Sequence, residues 1–280
     1  MKNPLVLIVL ITITGVLFSC QKPFTDPNGT IKPLAYDVNA TIFIDSSGIT
    51  DSAQKTAVSN FCIQLKDSSL WTKFIAIYPM VGGSANTTKW NLKDPRDLDA
   101  AYRLTYYGSP VFAPTGILFP SVNEFADTHL ADSAIGVTTD AAISYYSRTQ
   151  NTISGYDMGC TDGSSPYNEL SIYSNSADNS EWFGFSQQIF SPNTTGLFML
   201  SSSVSDVTRY RNGIIVSTKG APPSTNYTNL TIYVGKSRIS SHSGQKECAL
   251  ATIGKGLNDA QSRTFYNIVQ NFERALNRQM

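Results

Sequence analysis

The densest group of charged side chains in this sequence lies at residues 93–99, which read Lys-Asp-Pro-Arg-Asp-Leu-Asp. The group contains three aspartates within six residues: Asp94, Asp97 and Asp99. Carboxylate oxygens are the ligands that Ca²⁺ prefers in proteins, so this spacing predicts a candidate calcium site. The alternative is a proline-containing turn in which the carboxylates pair with Arg96 and Arg103, which would leave no ligand set for a cation.

Residues suited to hydrolytic catalysis are few and dispersed. A glycosidase of lectin-like fold needs two carboxylates on one strand face, but none of the five glutamates has an acidic residue two places away. With only two histidines, His129 and His242, a three-histidine zinc site is excluded. The Gly-x-Ser-x-Gly motif of serine hydrolases is also missing from the sequence. The sequence therefore favours a protein that is not an enzyme, with glycoside cleavage as an alternative.

Tyrosines beside Ser, Asn and Gly are the most plausible ligand contacts, because aromatic rings are large, rigid and amphipathic. The four candidates for sugar binding are Tyr107, Tyr146, Tyr156 and Tyr167. Tyr107 and Tyr146 each end a Tyr-Tyr pair, and alternation along a strand sends the two rings of such a pair to opposite faces. At most one ring of each pair can therefore face solvent, and core packing is the alternative role for every one of these tyrosines.

The cysteines indicate the redox chemistry that is open to the chain. Apart from Cys20 there are three, at positions 62, 160 and 248, so at most one disulfide can form among them. Cys62 lies on the apolar face of a predicted helix and is interpreted as a core residue. A bridge between Cys160 and Cys248 is the candidate disulfide for an oxidising compartment. No Cys-x-x-Cys motif is present to suggest a zinc or redox site.

The first twenty residues predict export and lipidation. Lys2 is followed by an apolar run over residues 4–18, which suits a signal peptide and is short for a membrane-spanning helix. The run ends in Leu-Phe-Ser-Cys, which resembles a bacterial lipobox and implies cleavage after residue 19 and acylation of Cys20. Gln21 follows instead of Asp, which favours the outer membrane, on either its periplasmic or its outer side. An ordinary cleaved signal and an uncleaved anchor are the alternatives.

Composition narrows the class of the mature protein. The 280 residues carry 21 Lys and Arg against 21 Asp and Glu, without a basic block, which argues against nucleic acid as a partner. Hydrophobic residues make up 41%, enough for a packed core. Residues 20–36 contain three prolines and a glycine, so we expect them to form an extended tether between the lipid and one domain at 37–280.

Local patterns predict a β-rich domain with a helix near each end. Helices are expected at 51–65 and 258–277, where Asp51 and Asn258 begin capping boxes and apolar residues recur at helical spacing. Strands are expected at 41–45, 102–107, 143–148, 169–174, 181–190, 196–202, 206–211, 213–218, 229–235 and 248–253, with Asn212-Gly213 as a hairpin turn. The amphipathic C-terminal helix should pack across a sheet or its rim. This pattern predicts an all-β fold, a two-sheet antiparallel jelly-roll sandwich.

Four blocks of sequence resemble a concanavalin A-like, laminin-G-like family found in Bacteroidota lipoproteins and tailed-phage virions. They lie at residues 71–83, 89–104, 144–149 and 247–280. The strand–Asn-Gly–strand unit before Tyr233-Val234-Gly235 also looks like a laminin-G-like hairpin. The resemblance implies a jelly roll and, by analogy only, binding of carbohydrate or another surface polymer, because fold does not define function.

We therefore expect a lipid-anchored protein of the outer membrane that acts as a non-catalytic carbohydrate-binding or adhesion module. A purely structural or interaction protein without a sugar site is the first alternative, suggested by the virion relatives. A polysaccharide-cleaving enzyme is the second. Calcium is the only cofactor that the sequence suggests, and the expected partners are the membrane, through the lipid, and a glycan or similar polymer.

Overall fold

The computed structural model describes residues 36–162, 169–173, 180–182, 186–188, 193–220 and 228–280. Tyr36–Met280 forms one compact unit. The predicted signal peptide, Cys20 and the predicted tether up to residue 35 lie outside the described residues, as does Tyr167. Of the helices in the described part, none is long and apolar enough to cross a membrane.

Most of the regular secondary structure consists of short strands. They are β1 Phe74–Tyr78, β2 Thr105–Tyr107, β3 Val111–Ala113, β4 Gly116–Leu118, β5 Phe125–Ala131, β6 Ala142–Ser147, β7 Tyr156–Thr161, β8 Glu169–Tyr173, β9 Ser180–Trp182, β10 Ser186–Gln188, β11 Gly196–Ser202, β12 Asp206–Arg211, β13 Ile214–Gly220, β14 Thr231–Val234, β15 Ser237–Arg238 and β16 Glu247–Gly254. The α-helices are α1 Val38–Ser47, α2 Ser52–Asp67, α3 Ala85–Thr88 and α4 Asp259–Ala275, with 3₁₀ turns at Trp71–Lys73, Asp99–Ala101 and Asp132–Ile135.

The strands form two large sheets and one small hairpin. The first sheet has the order β13-β12-β11-β6-β16-β4-β3, and β1 also pairs with β16. The second sheet contains β15, β7, β14, β5 and β2, and β8 also pairs with β7. All pairs are antiparallel except the short one between β15 and β7, while β9 and β10 pair with each other. The predicted antiparallel two-sheet jelly-roll sandwich is confirmed.

The inner faces of the two sheets share one apolar core. The first sheet contributes Ile143, Tyr145 and Phe198 from β6 and β11, and the second contributes Met158 and Ile232 from β7 and β14. All of these side chains are at most 4% exposed. This dry layer is the main source of stability, since burial of apolar area contributes roughly 25 cal/mol per Å².

Helices cover the other face of the first sheet. Phe265 of α4 packs against Phe74 with ring centres 4.8 Å apart, and Phe272 packs against Phe61 of α2 at 4.7 Å. Leu197 and Met199 of β11 belong to this second core, whereas Phe198 and Leu200 face the other sheet. The continuous apolar run in β11 is thus explained, because that strand is buried on both faces. The prediction that α4 packs across a sheet is confirmed.

The strand predicted at 41–45 is wrong, because these residues belong to helix α1. The Asp37 carboxylate accepts hydrogen bonds from the backbone amides of Asn39 and Ala40, so it caps the first turn. Gly48, at φ 69°, ends the helix in the left-handed conformation that glycine adopts freely. Buried residues recur every three or four positions and face α2: Ala40, Phe43, Ile44 and Ser47.

Most other predicted elements are confirmed. Helix α2 is capped by the Asp51 carboxylate, which accepts from the Gln54 amide, and α4 begins with a complete capping box between Asn258 and Gln261. Asn212 and Gly213 have φ values of 51° and 71° and join β12 to β13. The expected strand at 181–190 is divided into β9 and β10. Six strands of the described chain were missed: β1, β3, β4, β5, β7 and β15. Of these, β5 and β7 shape the outer face of the second sheet.

Candidate functional site

Each of the three aspartates of the predicted calcium site pairs with a cationic side chain of the protein. Asp94 pairs with Arg96, whereas Asp97 accepts from Lys89 at 2.7 Å and from Arg103 at 2.6 Å. Asp99 Oδ1 accepts from Arg103 Nε at 2.9 Å. Hydrogen bonds from these cations lower the pKa of both Asp94 and Asp97. The ion-paired turn is therefore what the structure has, and this corrects the calcium prediction.

No set of three or more His, Cys, Asp or Glu side chains within the described parts of the chain is arranged to hold a metal ion. His129 has a structural hydrogen bond instead, with Nε2 2.7 Å from Thr105 Oγ1. His242 is exposed in the loop before β16. One histidine is thus structurally bonded and the other lies in a loop.

The predicted disulfide between Cys160 and Cys248 is not formed. Both side chains are buried and neither is in a disulfide, and the same is true of Cys62. Cys160 lies on β7 of the second sheet, where its sulfur accepts a hydrogen bond from Thr228 Oγ1 at 3.6 Å. Cys248 lies on β16 of the first sheet, where its thiol donates to the Leu250 carbonyl at 3.5 Å. Burial raises the pKa of Cys248 well above its usual value, so this thiol is unreactive.

The predicted sugar-binding tyrosines have different environments. Tyr146 is completely buried under α4, where its hydroxyl accepts from the Met280 amide at 2.8 Å, so its prediction as a ligand contact is wrong. The Tyr145–Tyr146 alternation places one ring on each side of the first sheet, and both sides are covered. Tyr156 is half-buried, edge-on to Tyr173 with ring centres 5.0 Å apart. Tyr107 is 44% exposed.

Tyr107 ends an aromatic stack that consists of Tyr107, Phe125 and Tyr233. Tyr107 and Phe125 have ring centres 4.7 Å apart and planes at 10°, while Phe125 and Tyr233 are 4.6 Å apart at 18°. Offset stacking of this kind contributes about 0.5–1.5 kcal/mol per pair beyond the area buried. The stack therefore holds three rings in fixed positions on the outer face of the second sheet.

Strand pairing creates this stack. The rings come from neighbouring strands in the order β2, β5 and β14, and Tyr107 lies directly opposite Phe125. Neighbouring strands are about 4.8 Å apart, which matches the separation of the ring centres. The adjacent residues point inwards: Tyr106 donates to or accepts from Thr88 Oγ1 at 2.8 Å and packs on Phe112. This anchoring fixes the alternation that turns Tyr107 outwards.

The geometry leaves one ring face of the stack open. Phe125 has a ring on each side. The far side of Tyr233 is covered by the guanidinium of Arg238, whose central carbon lies 5.3 Å from the centre of the Tyr233 ring. Strand β2 is at the end of the sheet, and its only strand partner among the described residues is β5. The outer face of Tyr107 is therefore the surface on which a flat apolar face of a ligand can stack.

Polar and charged groups surround the rings. Lys236 Nζ lies 4.7 Å from the centre of the Phe125 ring and donates to the Val122 carbonyl at 3.3 Å. Asp127 lies on β5, the strand between those that carry Tyr107 and Tyr233. Its side chain is only 8% exposed and accepts a hydrogen bond from the His129 backbone amide at 2.8 Å. Burial and the Asp127 charge raise the pKa of Tyr233, and Arg238 lowers it. The Tyr233 hydroxyl therefore stays protonated and can donate a hydrogen bond.

A polar cavity of about 850 Å³ lies between the first sheet and the N-terminus of α4. Its polar groups bond mainly to one another: Tyr210 donates to Asp259 at 2.6 Å, Ser201 Oγ donates to the Leu257 carbonyl, and Asn258 is engaged in its capping box. Tyr210 is only 3% exposed, so it has no free ring face. The aromatic stack is thus the better candidate for a site that binds sugars.

Sequence reasoning found one of the three rings. Phe125 was missed because apolar and polar residues do not alternate cleanly along β5. The strand is irregular at His129, which adopts φ 54° where the register between β5 and β14 shifts. A usable signal existed for Tyr233, because the period of two in 229–235 places it opposite to the apolar face of β14. Only the order of strands in the sheet brings these rings beside Tyr107.

Fold and site together define this chain as an antiparallel β-sandwich protein with an exposed aromatic stack. No protein-family model matches the sequence, and no curated protein matches it significantly. Among solved structures, Trypanosoma rangeli sialidase in complex with a difluoro-nononic acid shares 8% identity at a TM-score of 0.50, over 76% of this chain and 39% of the sialidase. This chain thus spans about two fifths of that enzyme, and the likeness concerns the fold alone.

Two further neighbours are more distant in structure. Domain 4 of AbnA, an extracellular arabinanase from Geobacillus stearothermophilus solved with arabinotriose, has 13% identity and a TM-score of 0.43, over 69% of this chain and 98% of the domain. The binding domain of botulinum neurotoxin serotype G has 12% identity and a TM-score of 0.42, over 70% of this chain and 51% of that chain.

Proposed function

We propose that this protein is a non-catalytic carbohydrate-binding lipoprotein, and that it binds its ligand on the open face of Tyr107. The observation that carries the proposal is the aromatic stack, in which Phe125 and Tyr233 hold an exposed tyrosine ring at the edge of a sheet. Because the ring is already immobilised, a sugar that stacks on it loses little additional side-chain entropy. Neighbouring hydroxyl and charged groups would orient the sugar hydroxyls.

The fold supports this proposal and does not decide it. The β-sandwich is shared with the sialidase and with sugar-binding domains, and the same architecture serves many other functions. The resemblance of residues 71–83 and 247–280 to laminin-G-like proteins points in the same direction. The aromatic stack is therefore the feature that favours a sugar as the ligand.

Binding can be tested with the full-length protein in mild detergent on an array of bacterial, plant and animal glycans, with and without calcium. We expect at least one glycan to bind, and Tyr107→Ala to weaken that binding about tenfold or more, which corresponds to about 1.4 kcal/mol. Tyr266→Ala is the matched control, because Tyr266 is a partly buried tyrosine of α4 on the opposite side of the molecule. It should leave binding unchanged.

Three outcomes would contradict the proposal. Failure to bind any glycan would favour a structural or interaction protein without a sugar site. Equal binding by the Tyr107→Ala and wild-type proteins would move the site away from the stack. Release of new reducing ends from a bound polysaccharide would show that the protein is an enzyme, and the carboxylates of the polar cavity would then be the first to substitute.

We further propose that acylation of Cys20 anchors the protein in the outer membrane and that residues 20–36 provide the tether. Several acyl chains make a stable anchor, whereas one chain gives only marginal membrane binding. Metabolic labelling with an alkyne fatty acid should mark the wild-type protein, and Cys20→Ser should remove both the label and its partition into detergent. Labelling that persists in Cys20→Ser would refute the anchor.

A further inference from the structure

We propose that the glycan bound at the aromatic stack is acidic, with a carboxylate or sulfate group that pairs with Lys236. This inference rests on the proposed function, since it names the class of sugar that the same site selects. It is drawn from the charges around the three rings and from the partners that those charges have within the protein.

Lys236 is a cation whose protein contacts leave its charge uncompensated. The ammonium donates to one backbone carbonyl, that of Val122 at 3.3 Å, and lies against the Phe125 ring. Among the residues that the structure describes, no carboxylate forms an ion pair with it. Burial alone lowers the pKa of Lys236, with no contribution from a nearby negative charge. An anionic ligand would therefore gain a strong charge-assisted hydrogen bond without breaking an existing ion pair.

Arg238 adds a second positive charge at the Tyr233 end of the stack. Its guanidinium lies 5.3 Å from the centre of the Tyr233 ring and also donates to Thr231 Oγ1. We call Lys236 and Arg238 the cationic rim. Within the described chain, neither cation of the rim forms an ion pair with a carboxylate, so both charges are available to attract an anionic polymer.

The carboxylates that lie nearest in the sheet are turned to other partners. Asp127 is nearly buried and accepts from the backbone amide of His129. Glu124, which precedes Phe125, is half-buried, and its Oε2 accepts from Ser121 Oγ. Asp97 and Asp99, farther along, are paired with Arg103. These groups do not form ion pairs with the cationic rim.

The distances suit a chain of sugars better than a single one. Lys236 Nζ and the Tyr107 ring centre each lie 4.7 Å from the centre of the Phe125 ring. The ammonium is therefore within about twice that distance of the Tyr107 ring centre. A sugar on the outer face of Tyr107 would lie farther from Phe125 than the Tyr107 ring does, so we expect the glycan to reach Lys236 through an adjacent sugar unit. The acid group that matters is therefore expected on the adjacent unit of the glycan.

The test compares acidic glycans with neutral partners of the same skeleton, using isothermal titration of the full-length protein. The carboxylate pairs are hexagalacturonate with its methyl ester and hyaluronan hexasaccharide with its carboxyl-reduced form. The sulfate pair is chondroitin sulfate with its desulfated form. We expect at least one acidic member to bind tenfold more tightly than its partner at 50 mM NaCl, and the preference to shrink at 500 mM as the charges are screened. Whether the carboxylate pairs or the sulfate pair show this preference identifies the acidic group that the site binds.

Substitutions of Lys236 test whether the cationic rim causes the preference for acidic glycans. Lys236→Gln should remove most of the preference for the acidic member, and Lys236→Arg should retain it. Lys55→Gln, on helix α2 at the opposite side of the molecule, is the matched control and should have no effect. Circular dichroism of each variant verifies folding.

The outcomes separate this inference from the proposed function. Equal binding of acidic and neutral members, or a preference that survives in Lys236→Gln, overturns the inference while the carbohydrate-binding proposal stands. Binding of no glycan at all overturns both.

Discussion

The buried ion pair between Glu273 and Arg278 provides the sharpest test of how the helix layer is attached to the first sheet. Both side chains are completely inaccessible, and Arg278 Nε lies 2.6 Å from Glu273 Oε2. The guanidinium also donates to three backbone carbonyls, those of Pro79, Met80 and Ala249. Arg278 therefore links the end of α4 to the segment after β1 and to β16.

We predict that Arg278→Met destabilises the protein by about 3–5 kcal/mol at pH 7, because it leaves a carboxylate buried without a partner. The cost has a natural limit, since Glu273 can take up a proton instead. Protonating a carboxyl group with an unfolded-state pKa of about 4.3 at pH 7 costs about 4 kcal/mol, at 1.36 kcal/mol per pKa unit. At pH 5 the same step costs about 1 kcal/mol.

The sign of the pH dependence follows from the pKa. Burial raises the pKa of Glu273, and Arg278 lowers it, so loss of Arg278 raises it further. The folded variant then holds a proton that the unfolded chain releases, so its stability is retained at low pH and falls as pH rises above about 4.3. The stability deficit of Arg278→Met should therefore shrink by up to about 3 kcal/mol between pH 7 and pH 5, and by less in so far as the raised pKa of wild-type Glu273 stabilises the wild type as well.

Urea unfolding at both pH values, followed by tryptophan fluorescence, measures this change. The control is the double variant Glu273→Gln/Arg278→Met, which removes the charge together with its partner and should be more stable than the single variant at pH 7. A deficit in Arg278→Met that is equal at pH 5 and pH 7 would refute the reasoning. So would a double variant no more stable than the single one.

Three further predictions concern the stack and the buried groups. Phe125→Leu should weaken glycan binding about threefold to tenfold, because it removes ring contacts worth about 0.5–1.5 kcal/mol that hold Tyr107 in place. Isothermal titration measures this change, and an unchanged affinity would contradict the prediction. Burial lowers the pKa of Lys93 to about 8, below its unfolded value, so the wild type should gain stability as pH rises from 8 to 10. Lys93→Met should lack that gain in melting curves. Burial should keep native Cys62, Cys160 and Cys248 from reacting with Ellman's reagent at pH 8, and all three should react in urea; the pKa of Cys62 is raised to about 12.

The segment at 41–45 shows where local reading of the sequence failed. Thr-Ile-Phe-Ile has strong β propensity, yet it lies in α1 because Asp37 and Gly48 supply the two caps and a neighbouring helix covers its apolar face. The capping residues were visible in the sequence. The helix that buries Phe43 and Ile44 was not, and tertiary burial outweighs propensity differences of this size.

The tyrosine pairs show the same limit at the candidate site. Alternation correctly placed the two rings of each pair on opposite faces, and this is a local property of a strand. It could not tell that helices cover Tyr146 while Tyr107 stays exposed, because that depends on which elements pack on each sheet. The carboxylates at 94–99 likewise have identical local chemistry whether they bind a cation or pair with Arg103.

Local patterns were enough to predict the fold class, the two capped helices α2 and α4, and most strands, because periodicity and capping act over a few residues. The three-dimensional packing was needed to learn which sheet face is open, which cations the aspartates contact, and that Phe125 and Tyr233 lie beside Tyr107. Those outcomes depend on the order of strands in the sheets and on the packing of side chains, in part between residues as far apart in sequence as Phe125 and Tyr233, which no local pattern encodes.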